Sequence, residues 1–407
     1  MKKVLALALV LCMVLGLAAC GGNNTDVTSS VAGDDNAKTI KVGFIFLHDE
    51  QSTYDKNFMD AAKAACKEMG VEYAQKTQIP ESKDCYDAAV ELIEVDGCNI
   101  IFADSFGHES FLIDAAKKYP DVEFCHATGT QAHTAGVANF HNAFASIYQG
   151  RYLAGVAAGL KLNEMIAAGD FTAEEAKMGY VGAFTFAEVM SGYTSFYLGA
   201  KSVCPTVTMD VKFTGSWYDE QAEKEAAQAL IAGGCKLISQ HADSMGAPTA
   251  CETAGVPNVS YNGSTVAACP NTFIVSSRID WTPYFKYMIE CVRDGKAIDT
   301  DWTGTLETGS VVLTDVNTAV AAAGTVEKIE EVKKALLDGT LNVFDTANWT
   351  VAGEKLTTYL ADVDTDADFA KDTEAIEGGV FYESKHRSAP YFDVEIDGIN
   401  LLDRNYG

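Results

Sequence analysis

The stretch Ile40-Lys-Val-Gly-Phe-Ile-Phe-Leu47 is a short apolar run that stops at the polar cluster His48-Asp-Glu-Gln-Ser-Thr53. Such a run, bounded by turn-forming residues, reads as a buried strand. Beyond it, Tyr54 to Met69 carries Phe58, Ala61, Ala62, Ala65 and Met69 at helical spacing. The rhythm then repeats: Val71 to Ala74 is strand-like, Asp84 to Val95 helical and Cys98 to Ala103 a buried strand. Phe111 to Lys118 is helical again, and Val122 to His126 is a strand. Strands alternating with helices predict βαβ units and an α/β fold whose parallel sheet is covered on both faces.

After a crossover near Phe140 the same pattern restarts. Ile147 to Leu162, Val189 to Ser202 and Asp219 to Ala232 are helical, and Met178 to Gly182, Thr206 to Phe213 and Cys235 to Gln240 are strands. Two runs of one type predict two similar lobes: 38–140, completed by about 264–300, and 141–263, completed by part of 301–345. Thr272 to Ser276 and Trp281 to Val292 are expected to return to the first lobe. Residues 346–407 form an extension without an assigned role, irregular except for a strand-like Tyr391 to Ile396.

The amino-terminal segment reads as an address. Lys2 and Lys3 precede an apolar stretch from Val4 to Leu15, and Leu17-Ala-Ala-Cys20 places small residues before a cysteine. That is the pattern of a bacterial lipoprotein leader, cleaved before Cys20 and lipidated on its thiol. The apolar stretch is shorter than the roughly 20 residues a membrane span needs. Residues 1–20 are therefore expected to be the leader, and the small, polar segment 21–37 a flexible tether outside the cell membrane.

A formal charge of −27 with 48% apolar residues describes a well-cored acidic body. Such a field repels phosphate backbones and excludes nucleic acid as a partner. Beyond Cys12 and Cys20 there are nine cysteines, no CxxC, and several lie inside apolar runs. An odd number cannot all pair within the chain, and reduced, buried thiols acting as small hydrophobes are expected.

In open α/β sheets, ligands sit beyond the carboxyl ends of the strands. The segments following the predicted strands bring aromatics (Tyr54, Phe106, Trp217, Trp281) beside hydrogen-bonding groups (Asp49, Ser105, His241, Asp243, Asn262, Asp280). Aromatic faces stack on a flat, nitrogen-rich ring, while carboxylates and amides satisfy its edge. Carboxylates at strand ends also cap helices, and Asp219 reads mainly as a helix start.

Several segments resemble the basic membrane protein family, the purine-nucleoside-receptor-like lipoproteins that serve ABC importers. The resemblance rests on Lys41-Val-Gly-Phe-Ile45, Ser105-Phe-Gly107, Ala115 to Gly129, Gln149-Gly-Arg-Tyr-Leu-Ala-Gly155, Lys177-Met-Gly-Tyr-Val-Gly182, Gly215-Ser-Trp-Tyr-Asp219, Gln240-His-Ala-Asp-Ser244 and Asp280-Trp-Thr-Pro-Tyr284. These stand in order between about residues 40 and 345. The resemblance implies a type I periplasmic-binding-protein fold, two Rossmann-like lobes around a hinged ligand cleft, with a purine as ligand and an ABC permease as partner. It also implies that Phe106 and Trp217 contact the ring, that Asp49 to Asn57 form the first binding loop, and that His241 and Asp243 belong to the nucleobase-reading segment. Where nucleoside-binding members tend to carry an acidic residue linked with ribose, this chain has Tyr261-Asn262-Gly263, which tilts the expectation to a free base. The carboxyl-terminal segment runs past the usual family ending.

The expected protein is a monomeric, lipid-anchored substrate-binding component without a cofactor. An enzyme is disfavoured, since GxSxG, P-loop, HExxH and GxGxxG motifs are missing from the sequence. The seven histidines are scattered rather than paired, which disfavours a metal-delivery lipoprotein and makes His126 and His141 local hydrogen-bonders. A lipoprotein that passes ligand to a signalling receptor is the remaining alternative.

Overall fold

The computed structural model describes residues 39–364 and 370–404; the leader, Cys20 and the tether lie outside the described residues. In chain order, the first lobe begins with β1 (Lys41–Ile45), α1 (Thr53–Met69), β2 (Glu72–Lys76), α2 (Lys83–Glu94), β3 (Ile100–Ala103), α3 (Glu109–Lys118), β4 (Glu123–Ala127) and β5 (Phe140–Ala145). The second follows with α4 (Ile147–Ala168), β6 (Lys177–Gly182), α5 (Ala187–Val203), β7 (Thr208–Phe213), α6 (Glu220–Ala232), β8 (Leu237–His241), α7 (Gly246–Ala254), β9 (Asn258–Tyr261) and β10 (Phe273–Ile279). Then come α8 (Thr282–Asp294), β11 (Asp301–Gly304), β12 (Val311–Leu313) and α9 (Thr325–Leu337).

The first sheet has the order β11-β5-β4-β3-β1-β2 and is parallel throughout. The second runs β12-β10-β9-β8-β6-β7 and ends on a short strand, Ile399–Leu401. Only β12 is antiparallel to its neighbour there. β6 to β10 thus repeat the spatial order of β1 to β5, so a residue after one strand has a counterpart in the other lobe. Central strands β1, β3 and β8 are buried almost throughout, as parallel strands sandwiched between helices must be.

Three crossings join the lobes: β5 to α4 at Ser146, β10 to α8 at Asp280, and β11 to β12. The Ser146 amide donates to Gly304 O at 2.8 Å and the Asp280 amide to Ser310 O at 2.7 Å, so the crossings brace one another. The segment expected to complete the first lobe is in fact divided. β10 pairs with β9 in the second sheet, whereas α8 packs on α1 in the first lobe. α8 is amphipathic and buries Tyr284, Phe285, Met288 and Ile289, while strand pairing holds β10 in the second sheet.

Helices α4 and α5 meet at unusually short range. A Cβ on Gly155 would lie 2.0 Å from the Phe196 carbonyl oxygen, and one on Gly199 would lie 2.0 Å from that of Tyr152. Glycine at both positions lets the two backbones touch and carries the second lobe's core between them.

The carboxyl-terminal extension is built into the second lobe. Ile399–Leu401 pairs in parallel with β7, and Phe392, fully buried, stacks on Phe344 with ring centres 4.4 Å apart. The segment Tyr391 to Ile396 buries Tyr391, Phe392, Val394 and Ile396 but forms no strand, correcting the expectation for it. Its alternation places side chains in the core while the pairing edge falls three residues later. The same extension reaches the first lobe, where the Ser388 amide and hydroxyl donate to Asp301 Oδ1 at 2.8 and 2.9 Å.

All nine cysteines among the described residues are free and buried. Burial raises their thiol pKa values, to about 12 for Cys66, Cys125, Cys235 and Cys251, which keeps them protonated and inert.

Candidate functional site

The carboxyl ends of the two sheets face each other across a small cavity. The first lobe contributes Leu47 after β1, Tyr54 from α1, Ser105 and Phe106 after β3, and Thr128 after β4. The second contributes Glu188 from α5, Trp217 after β7, His241 and Asp243 from the end of β8, and Tyr261 from the end of β9. The lobes touch around this space: the Thr53 amide donates to Asp243 O at 3.0 Å, and the Phe106 and Phe186 rings lie 5.3 Å apart. This is a closed cleft.

An aromatic frame surrounds the cavity. Trp217 meets Phe184 edge-on at 5.0 Å, Phe184 stacks on Phe186 at 5.0 Å, and Phe186 reaches Phe106 of the other lobe. Tyr54 donates its hydroxyl to Asp104 O at 2.7 Å, which aims its ring and locks the first turn of α1 to the end of β3. Tyr261 lies 4.5 Å from the His241 ring, and the Arg151 guanidinium lies 4.8 Å from the Tyr261 ring centre. Arg151 is fully buried and donates to Tyr180 Oη, to Ser239 Oγ at 3.3 Å and to Gln240 O at 3.1 Å. That network fixes the end of β8, from which His241 and Asp243 project.

The polar groups are mainly acceptors. His241 Nε2 lies 3.4 Å from Glu188 Oε1, and burial lowers the imidazole pKa, so the ring is neutral. Its Nδ1 has no protein partner. Gly192 makes room for it, because a Cβ there would stand 2.6 Å from Nδ1. Burial, with the charges of Asp55, Glu223 and Glu188, raises the Asp243 carboxyl far above the ordinary range. A protonated Asp243 offers one donor and one acceptor. The Asp243 amide donates to Trp217 O at 2.9 Å, tying the acid to the aromatic. Glu223 accepts from the Ser244 amide at 3.2 Å and braces this loop from behind.

Of the residues singled out in the sequence, Tyr54, Ser105, Phe106, Trp217, His241 and Asp243 line the cavity. Four others do not. Asp49 accepts from the Gln51 amide and from Gln78 Nε2 in a separate surface groove. Asp280 accepts from the Thr282 amide at 3.0 Å and serves the crossing into α8. Trp281 is 1% exposed and stacks on Phe58 at 4.4 Å, a core residue of the first lobe. Asn262 is buried at the end of β9 but does not reach the cavity. Ser105 lines the wall with its hydroxyl already given to Glu81 Oε1 at 2.6 Å. The Asp219 carboxylate accepts from the Ala222 amide and starts α6.

Sequence reasoning passed over Leu47, Thr128, Glu188 and Tyr261 as site residues. For Glu188 a signal existed, since Phe184-Thr-Phe-Ala-Glu188 follows β6 as the other site segments follow theirs. Among the described residues, no group of three or more His, Cys, Asp or Glu side chains could hold a metal ion. His126 Nε2 donates to Ser105 O at 2.7 Å, and His141 Nε2 lies 2.9 Å from Glu123 Oε2.

This two-lobed arrangement has relatives among solved structures. An ABC transporter solute-binding protein of Aeropyrum pernix superposes with a TM-score of 0.63 at 16% identity, covering 81% of this chain and 95% of that one. One from Conexibacter woesei gives 0.59 at 20% identity, covering 74% and 98%. They establish the type I periplasmic-binding-protein fold. In sequence, a purine-binding protein of Brucella abortus is 32% identical over 78% of this chain and 88% of its own length. A Haloferax volcanii protein named as an ABC transporter glucose-binding protein is 28% identical over 70% and 69%. Residues 41–340 match the PnrA-like ABC transporter substrate-binding proteins, and the chain belongs to that family.

Proposed function

We propose that this protein captures a purine, a free base in preference to a nucleoside, and delivers it to an ABC permease from a lipid anchor at Cys20. Its family consists of solute-binding proteins rather than enzymes. The observation that carries the purine reading is the cavity itself, in which Phe106 and Trp217 face a cluster of hydrogen-bonding groups formed by Glu188, His241 and Asp243. The neutral Tyr261-Asn262-Gly263 segment favours a base without ribose, and the Brucella relative is named as a purine-binding protein.

The mechanism is capture followed by closure. The base docks on one lobe, and rotation about the three crossings brings Trp217, His241 and Asp243 of the other lobe over it. Closure is favoured only by the ligand's differential affinity for the closed form. Tethering at Cys20 raises the local concentration of loaded protein beside its permease.

Thermal melting of residues 21–407 with bases, nucleosides, glucose and divalent metals tests the reading. At about 100 times its dissociation constant, a ligand of the folded state adds about 2.7 kcal/mol. Adenine, guanine, hypoxanthine or xanthine should raise the melting temperature more than the nucleosides do. A shift with glucose or a metal and none with any purine would overturn the assignment.

A further inference from the structure

Thr128 follows β4 directly and has φ +66°, a backbone region that β-branched residues almost never occupy. Its amide donates to Ala143 O of β5 at 3.1 Å, which holds the turn. The side chain is 3% exposed, lines the cavity, and its Oγ1 has no hydrogen-bond partner in the protein. Buried threonine hydroxyls ordinarily find a carbonyl or another side chain.

The second lobe holds the counterpart. Asn262 follows β9 with φ +63°, and its amide donates to Ser277 O of β10 at 2.9 Å. Glycine comes next in both lobes, Gly129 and Gly263. The same left-handed corner thus ends the fourth strand of each sheet. Asparagine adopts this conformation readily, whereas threonine adopts it against its own preference. The corner alone does not call for threonine. Strain retained at a residue that lines a ligand cavity, together with an unspent hydroxyl on it, points to a binding position.

We infer that Thr128 is a ligand-contacting, specificity-determining residue, its hydroxyl donating to a ring nitrogen or exocyclic oxygen of the bound molecule. This rests on the purine reading above for the identity of the ring. The division of labour is complementary. Glu188 in the second lobe is an acceptor for a ligand N–H group, while Ser105, the other hydroxyl-bearing residue that the first lobe's strand-end loops bring to the cavity, is bonded to Glu81. Thr128 therefore supplies the donor for the opposite edge of the ring, and a ligand with an acceptor there is preferred over one without.

Thr128→Val keeps the shape and branching and removes the hydroxyl, while Thr128→Ser keeps the hydroxyl. Both are compared with wild type by calorimetric titration with the purine bases and by melting without ligand. Thr128→Val should bind its preferred base about 3- to 10-fold more weakly, the range for one neutral hydrogen bond, with the ligand-free melting temperature unchanged. Thr128→Ser should stay within about twofold of wild type, the loss of a methyl contact being smaller than that of the bond. Unchanged affinity in Thr128→Val, or equal losses in both variants accompanied by lower ligand-free melting, would overturn the inference; Thr128→Ala replaces the valine variant if that one does not fold. The wild-type titration separates the two readings. If it binds a purine and Thr128→Val binds equally well, only the Thr128 role falls. If it binds glucose and no purine, the purine reading falls, and the same Val and Ser comparison with glucose decides Thr128.

Discussion

The Thr53 amide donates to the Asp243 carbonyl oxygen at 3.0 Å, and Thr53 Oγ1 lies 3.3 Å from the same atom. Thr53 opens α1 in the first lobe, and Asp243 follows β8 in the second. The residue whose carboxyl faces the cavity therefore holds the lobes together through its carbonyl. Ligand contact and closure meet in one peptide unit.

Thr53→Pro isolates that link. Ser52, the residue before, already has φ −73° and ψ 125°, an extended conformation that proline tolerates, and the first helical position needs no amide donor. Stability without ligand should be unchanged, while affinity should fall about 3- to 10-fold because closure loses its bond. Melting and calorimetric titration of the same sample check both halves.

Trp217→Ala should weaken binding of a purine base by roughly 10- to 100-fold, since base–aromatic stacking is worth about 1–3 kcal/mol. The Phe184 and Phe186 rings beside it keep the rest of the wall in place. An affinity near wild type, measured by fluorescence competition, would remove Trp217 from the stacking role.

Phe392→Ala tests whether the carboxyl-terminal extension is structural. Phe392 is fully buried and packs against Phe344, Trp349 and Phe381. A loss of about 3–5 kcal/mol in urea unfolding is expected, as for any core phenylalanine. A loss under 1 kcal/mol would mean that the second lobe stands without the extension.

The contributions of Glu223 and Glu383 to stability should fall as pH rises from about 5 to 8. Burial raises Glu223 from 4.5 to about 7 and Glu383 to about 8, so the folded protein binds these protons more tightly than the unfolded chain. Their contribution is whole below pH 4.5 and is lost as pH climbs through the folded values. For Glu223 this is on the order of 3 kcal/mol. Glu223→Gln retains an acceptor for the Ser244 amide and should flatten the fall between pH 5 and 7, measured as melting temperature against pH. A slope identical to wild type would show that Glu223 titrates normally.

Legibility in the sequence followed the locality of each feature. The apolar runs of β1, β3 and β8 and the spaced alanines of α1 stand out because one short window contains the whole signal. Phe140 to Ala145 and Asn258 to Tyr261 carry no strand expectation, because His141, Asn142, Asn258 and Ser260 interrupt their apolar character. Both are strands whose polar side chains are buried. Asn142 Nδ2 donates to Glu109 Oε1 at 3.0 Å, and the Ser260 hydroxyl donates to Asn258 Oδ1 at 2.6 Å. Hydrogen bonding within the fold offsets the cost of burying them, which no hydropathy pattern records.

The site divides in the same way. Tyr54, Phe106, Trp217, His241 and Asp243 could be named because strand ends in a doubly wound α/β fold are readable and their loops carry distinctive residue types. The left-handed turn at Thr128, the inward face of Glu188, the diversion of Asp280 to a helix start and the burial of Trp281 against Phe58 were not readable. Each depends on segments far apart in the chain being brought together: β4 against β5, α5 against β8, α8 against α1. From sequence alone come the alternating elements, the two parallel-sheet lobes and the loops that must face the ligand, because hydrophobic periodicity is a local property. The tertiary structure alone decides that β10 joins the second lobe, that the carboxyl-terminal extension closes that lobe's sheet edge, and which side chains turn inward. Those outcomes are set by long-range strand pairing and by the shape of the packed core.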